Sequence, residues 1–186
     1  MGRIDQLISR YKRHLELPLR AHLPLSQRVW FLVYPPEEER RLIGRIPEFE
    51  IATLEAKLQW KHIPLAGAFA DWMDTFDAEE KESCLSSPDI IENYADPGFR
   101  DFLRDRIHNE MDAVDEANKP TTIFALSGLM ELFDFIHVST VIESLNNDFP
   151  GILALFFPGE REGNTYRFLG ARTGWNYLAV PILSEG

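Results

Sequence analysis

The chain has a single cysteine, Cys84, among 186 residues, so it can form no internal disulfide and offers no cysteine cluster for zinc. This predicts a reducing compartment. Basic residues are also scarce: 19 Lys and Arg stand against 30 Asp and Glu, for a formal charge of -11. Such a mean field repels nucleic acid and anionic membrane, so the isolated chain is not expected to bind DNA. No apolar run approaches the roughly 20 residues that cross a bilayer. Met1-Gly2-Arg3-Ile4-Asp5-Gln6-Leu7 carries charges at short intervals where a signal peptide would be apolar. Together these absences predict a cytoplasmic protein without a membrane partner.

Cofactor motifs are missing as well. A phosphate-binding loop needs several glycines and a lysine, whereas Ser127-Gly128-Leu129-Met130-Glu131 has one glycine, no lysine and a carboxylate. Tyr34-Pro35-Pro36-Glu37 stands where a dinucleotide fold would place its glycine fingerprint. His14, His22, His62, His108 and His137 include no i, i+4 pair, so no metal site is expected, although convergence from distant loops is invisible in sequence. His137, between Ile136 and Val138, reads as a histidine beside the core. Ser127 precedes a glycine at a strand end but lacks the G-x-S-x-G frame. Cys84 sits in an acidic helix and is not read as a nucleophile. Glu160 and Glu162 share a turn with Arg161 and Arg167, which reads as neutralised surface charge more economically than as an acid–base pair. No catalytic, cofactor or metal residue is assigned.

What is present is an ordinary globular composition, 45% hydrophobic and 26% charged, of a length that suits one domain. Ile4, Leu7, Ile8, Tyr11 and Leu15 fall at helical spacing, predicting an amphipathic helix laid on the domain or on a partner, with Pro18 as its stop. Residues 1–24 are taken as this helix and its connector, and residues 25–186 as an α/β domain. The consecutive apolar run of Arg28 to Tyr34 predicts a central strand covered on both faces. Pro35-Pro36 opens a helix with Glu37, Glu38 and Glu39 in its first turn; Pro47 should break or kink it, and a second helical segment from Phe49 to Leu58 follows. Trp60 to Leu65, Thr121 to Ser127 and Ile152 to Phe157 read as further strands. Between them lie an Asp77/Glu80 capping box, prolines after Ser87 and Asp96, a helix with the stripe Phe102, Leu103, Ile107, Met111 and Val114, and a broken helix from Leu132 to Leu145. Four strands with helical crossovers imply a single Rossmann-like domain: a mostly parallel sheet with right-handed connections and helices on both faces. Asn164 to Leu169 and Asn176 to Ile182, joined around Thr173-Gly174, predict a closing C-terminal antiparallel hairpin.

In open parallel sheets the functional crevice lies beyond the carboxyl ends of the strands. Three such ends carry unusual loops here: Tyr34-Pro35-Pro36-Glu37, Ser127-Gly128 and Pro158-Gly159-Glu160. Gly159 and Gly163 are expected to supply backbone angles denied to other residues. Loops on a rigid scaffold often carry recognition, and a tight structural connection is the competing account.

The C-terminal pattern, an apolar strand, Phe157-Pro158-Gly159-Glu160, Glu162-Gly163-Asn164, Tyr166-Arg167 and Trp175-Asn176-Tyr177, resembles the BrxB family of bacterial BREX phage-defence islands. Val33-Tyr34-Pro35-Pro36-Glu37-Glu38-Glu39 and Ile123-Phe124-Ala125-Leu126-Ser127-Gly128-Leu129 are similar to upstream family segments, so the resemblance spans about residues 28–182. It departs at Phe133-Asp134-Phe135-Ile136-His137, where many members have Pro and Arg, so a role carried by that arginine does not transfer. The resemblance implies a small component of a multi-protein exclusion system, with a PglZ-like alkaline-phosphatase-superfamily protein, an ATPase and a DNA methyltransferase as companions and no cofactor or activity of its own. On it rests the expectation of a non-catalytic adaptor, with Leu7, Tyr11, Pro158, Gly159, Glu160, Gly163, Asn164 and Arg167 as docking candidates. The alternative is a small Rossmann-like enzyme working at the strand ends around Ser127 and Glu160.

Overall fold

The computed structural model describes residues 2–17, 23–87, 95–132, 135–145, 149–169 and 175–184. Five parallel strands make the main sheet: β1 (Val29–Tyr34), β2 (Gln59–Pro64), β3 (Thr122–Ser127), the first part of β4 (Ile152–Glu162) and β7 (Val180–Leu183), in the order β2-β3-β4-β1-β7. Every residue of β1 and β3 is buried, which is why both read as unbroken apolar runs: a strand with helices over both faces has no solvent side to alternate with.

One face is covered by helices α1 (Arg3–Leu15) and α3 (Glu39–Glu55), which pack on Trp30, Leu32, Tyr34, Ala125, Ala154 and Phe156. The short α2 (Leu25–Arg28) leads into β1. The other face carries α4 (Ala68–Met73), α5 (Ala78–Ser86), α6 (Arg100–Asp112) and α7 (Val138–Ser144), packed on Phe31, Val33, Phe124, Leu126, Leu155 and Phe157. Asp77 and Glu80 form the expected capping box, with Glu80 N–H donating to Asp77 Oδ1 at 2.8 Å and Asp77 N–H to Glu80 Oε2 at 3.0 Å. Leu103, Ile107 and Met111 are buried on α6 as the stripe predicted. Ser87 ends in extended backbone after α5, while Pro88 lies outside the described residues.

Three expectations are corrected. Pro47 neither breaks nor ends its helix: α3 continues through it, because Leu42 and Ile46 before it and Phe49, Ala52 and Thr53 after it are buried on one face, and that burial outweighs one absent backbone hydrogen bond. His137 is exposed as the residue before α7 instead of lying beside the core. The closing hairpin is also larger at one end. β4 runs straight through Pro158-Gly159 and turns back at Gly163, so its last residues pair antiparallel with β5 (Thr165–Phe168), and β5 then pairs with β6 (Trp175–Asn176). The chain next leaves the hairpin, and residues 180–183 dock parallel to β1 at the sheet edge.

Helix α1 is part of this same core. Ile4, Leu7 and Tyr11 are 0% exposed, and the Tyr11 hydroxyl lies 2.6 Å from Thr53 Oγ1 on α3. Arg10 donates to the Leu183 carbonyl at 2.7 Å, tying the helix to β7. Leu7 and Tyr11 are thus removed as docking anchors, because the apolar stripe that needed a cover is covered by the chain's own sheet and α3.

Candidate functional site

The carboxyl ends of β1, β4 and β7 enclose a cleft of about 400 Å³. Pro35, Pro36 and Glu37 form one wall, Gly159, Glu160 and Arg161 the other, and Leu183 and Ser184 the end; Arg3 of α1 reaches in from the side. Two of the three loops singled out in sequence therefore meet, because β1 and β4 are neighbours in register, with Tyr34 opposite Pro158. The third, Ser127-Gly128, lies one strand further along and does not line the cleft.

Glycine at 159 is required by packing and not by backbone angle, which corrects the expectation: its φ is not positive. A Cβ there would press on the Arg167 carbonyl and approach Phe157 Cε1 to 2.8 Å. This close approach lets β5 lie across β4 while Phe31, Phe157 and Tyr166 pack ring on ring, with Phe31 and Phe157 stacked at 5.3 Å, Phe31 and Tyr166 edge-on at 4.6 Å, and Phe157 and Phe168 edge-on at 5.3 Å. The hairpin is consequently anchored in the core at its base. Gly163 is the conformational glycine, at φ +60° in the turn, and Glu160, Glu162, Gly163 and Asn164 are exposed around it.

The charges of the hairpin are largely paired. Arg167 stands opposite Glu160 in the ladder and bridges to Glu162 at 3.0 Å. Arg161 donates to Asn164 at 3.3 Å and lies over the Tyr166 ring at 5.8 Å. At the cleft mouth Arg3 pairs with Glu37 at 2.9 Å. Among the described residues the cleft thus offers two cations, two carboxylates and the Ser184 hydroxyl, with no imidazole on its walls to activate it, an arrangement suited to polar recognition. Arg3 and Ser184 were missed in sequence; nothing in their local context marks them, since only tertiary packing brings α1 and the end of β7 to this edge, while Arg161, next to Glu160 on β4, was read only as neutralising surface charge.

A second constellation lies on the α3 side of β2 and β3. The register sets Pro64 opposite Ser127, and His62 Nε2 comes within 2.7 Å of Ser127 Oγ. Burial holds His62 below its ordinary value, while Glu50 pulls it the other way. Gly128 follows at φ +78°, where a Cβ would fall 2.5 Å from the Ala66 backbone nitrogen. Ser127 itself is only 6% exposed. Near the start of α3, the Tyr34 hydroxyl donates to Glu39, and burial raises both groups above their ordinary values. Among the described residues no group of three His, Cys, Asp or Glu side chains is placed to hold a metal ion, and no helix is long and apolar enough to cross a membrane.

Of the sequence candidates, Gly159 and Glu160 line the cleft, Pro158 is buried beneath them, Gly163 and Asn164 form the hairpin tip, and Arg167 sits on its second strand. In comparisons with known proteins, the chain matches no family model, no curated protein and no solved structure.

Proposed function

We propose that this chain is a non-catalytic adaptor of a BREX-type anti-phage system, acting in the cytoplasm, and that it presents the β4–β5 hairpin and the adjoining cleft to a PglZ-like protein encoded in the same island. The BREX ATPase or methyltransferase are further companions in this reading. The observation that carries it is the hairpin: an exposed polar tip on a base fixed by buried aromatic rings, built from the segment where the resemblance to BrxB is densest. A preorganised polar element of this kind loses little entropy on binding.

The test is co-expression with the PglZ-like protein of the same island, followed by size exclusion at micromolar concentration. The pair should co-elute, and Glu160→Lys combined with Asn164→Ala should weaken the complex by about tenfold or more, since reversing an interfacial charge leaves its counterpart against a like charge, with circular dichroism unchanged. Separate elution of the wild-type pair overturns the adaptor assignment; co-elution indifferent to the two changes overturns the hairpin as the contact.

The His62–Ser127 bond favours one second reading, a serine-dependent hydrolase in which neutral His62 takes the Ser127 proton. Its weakness is access, as Ser127 is buried and lies outside the cleft. A fluorophosphonate probe that labels the wild type but not Ser127→Ala would establish it; equal absence of label in both rejects it.

A further inference from the structure

Helix α3 has two apolar faces. One, with Leu42, Ile46, Phe49 and Ala52, is buried against the sheet. On the other, Ile43 is 52% exposed, Ile51 53% and Leu54 50%, and Pro47 between them is exposed as well. At about 100° per residue these four align along ~17 Å of one helix side, together with Gly44, where an added Cβ would meet nothing within 4 Å. Isolated exposed aliphatics are normal, but a contiguous stripe marks an interaction surface.

The surrounding charges identify what fits. Arg41 is bonded to Glu38 and Arg45 to Glu48, so these are neutralised within their own helix region. Arg40 at the N-terminal end of the stripe, and Glu50 and Glu55 in its C-terminal half, make no ion pair among the described residues, and the exposed Lys57 lies past the end of the helix. The stripe therefore runs, within the helix, from an unpaired cation to unpaired anions, a pattern complementary to its own reverse. We propose that this face is a self-association surface that takes a second copy of the chain in an antiparallel α3–α3 contact. With the two-fold axis at Pro47, Ile43 faces Ile51 of the second copy and Arg40 reaches Leu54 and Glu55, each contact occurring twice. Gly44 beside the axis allows close approach. A partner surface of uniform charge would set one end of the stripe against a like charge, whereas a reversed copy satisfies both. Two helices meeting over ~22 Å bury less than the ~800 Å² per partner of a tight interface, so the dimer is a weak, reversible one.

Sedimentation velocity on the full chain tests this, from about 5 to about 300 µM at about 0.15 M salt, where a Debye length of about 8 Å screens the net charge. The wild type should pass from monomer to dimer across the range. Ile51→Glu should weaken association at least about tenfold, because every change enters a two-fold interface twice. Arg40→Glu should weaken it too, and adding Glu55→Arg to Arg40→Glu should restore it; circular dichroism reports folding throughout. If Ile51→Glu proves unfolded, the charge pair decides alone. A wild type that stays monomeric at every concentration, a dimer that survives Ile51→Glu with native circular dichroism, or a double charge swap no better than the single one overturns the proposal.

Discussion

Replacing Gly159 by alanine should be one of the most damaging single-methyl changes available in this chain. The added Cβ would lie against the Arg167 carbonyl and 2.8 Å from Phe157 Cε1, so relief requires β5 to move off β4 by more than half an ångström. That movement acts on the pairing of Gly159 with Phe168 and on the Phe157–Phe168 contact at 5.3 Å. Overpacking of a close-packed site costs about 1–3 kcal/mol, and one weakened ladder hydrogen bond adds about 1 kcal/mol, for a total of roughly 2–4 kcal/mol. Gly163→Ala supplies the contrast: its Cβ meets nothing within 4 Å, and only the φ of +60° is strained, at about 1–2 kcal/mol. Urea unfolding of the three proteins, with hydrogen exchange at the Phe168 amide as a local reporter, separates the two mechanisms. If Gly159→Ala unfolds within about 0.5 kcal/mol of wild type, or Gly163→Ala costs more, the packing argument is refuted.

Two further outcomes are expected. Thr53 donates its only hydroxyl proton to the Phe49 carbonyl at 2.8 Å, so Tyr11 must be the donor in the Tyr11–Thr53 bond; Thr53→Val then strands a buried hydroxyl and should cost about 1–3 kcal/mol, against about 1 kcal/mol for Tyr11→Phe, an order that urea unfolding can check. Burial holds His14 and His62 below the ordinary 6.5, so between their folded values and 6.5 the unfolded chain binds more protons: their stabilisation is complete above that range and is lost as pH falls through it. Glu39, raised above 4.5 by burial, works with the opposite sign at lower pH. Combined His14→Gln and His62→Gln should flatten the decline in melting temperature below neutral pH, and an unchanged slope would contradict it.

The parts of the fold legible in sequence are those where local pattern and burial agree. β1 and β3 announce themselves because strands buried on both faces cannot alternate, and Asp77 with Glu80 because a capping box is a local device. Proline misled twice. Pro47 and Pro158 read as breaks, yet each lies inside an element whose flanking residues are buried deeply enough to carry the chain through. The site was half visible: Gly159 and Glu160 stood out by residue type, while Arg3 and Ser184 reach the same cleft from opposite ends of the chain. The His62–Ser127 pair was invisible because it depends on the β2–β3 register, which no short-range pattern encodes.

The sheet order also dictates how a nascent chain must wait. β1 is six buried residues long, and both of its neighbours are distant: Val29 pairs with Leu153 on one side, and Trp30 with Val180 on the other. At bacterial or eukaryotic elongation speeds of about 5–20 residues per second, roughly ten seconds separate the emergence of β1 from that of its first partner. During that interval Val-Trp-Phe-Leu-Val-Tyr has no strand to pair with and is the segment a ribosome-associated chaperone would meet. Closure of the sheet centre therefore waits for β4, with β7 joining the edge only afterwards, and pairing of consecutive strands such as β2 with β3 cannot hasten either step.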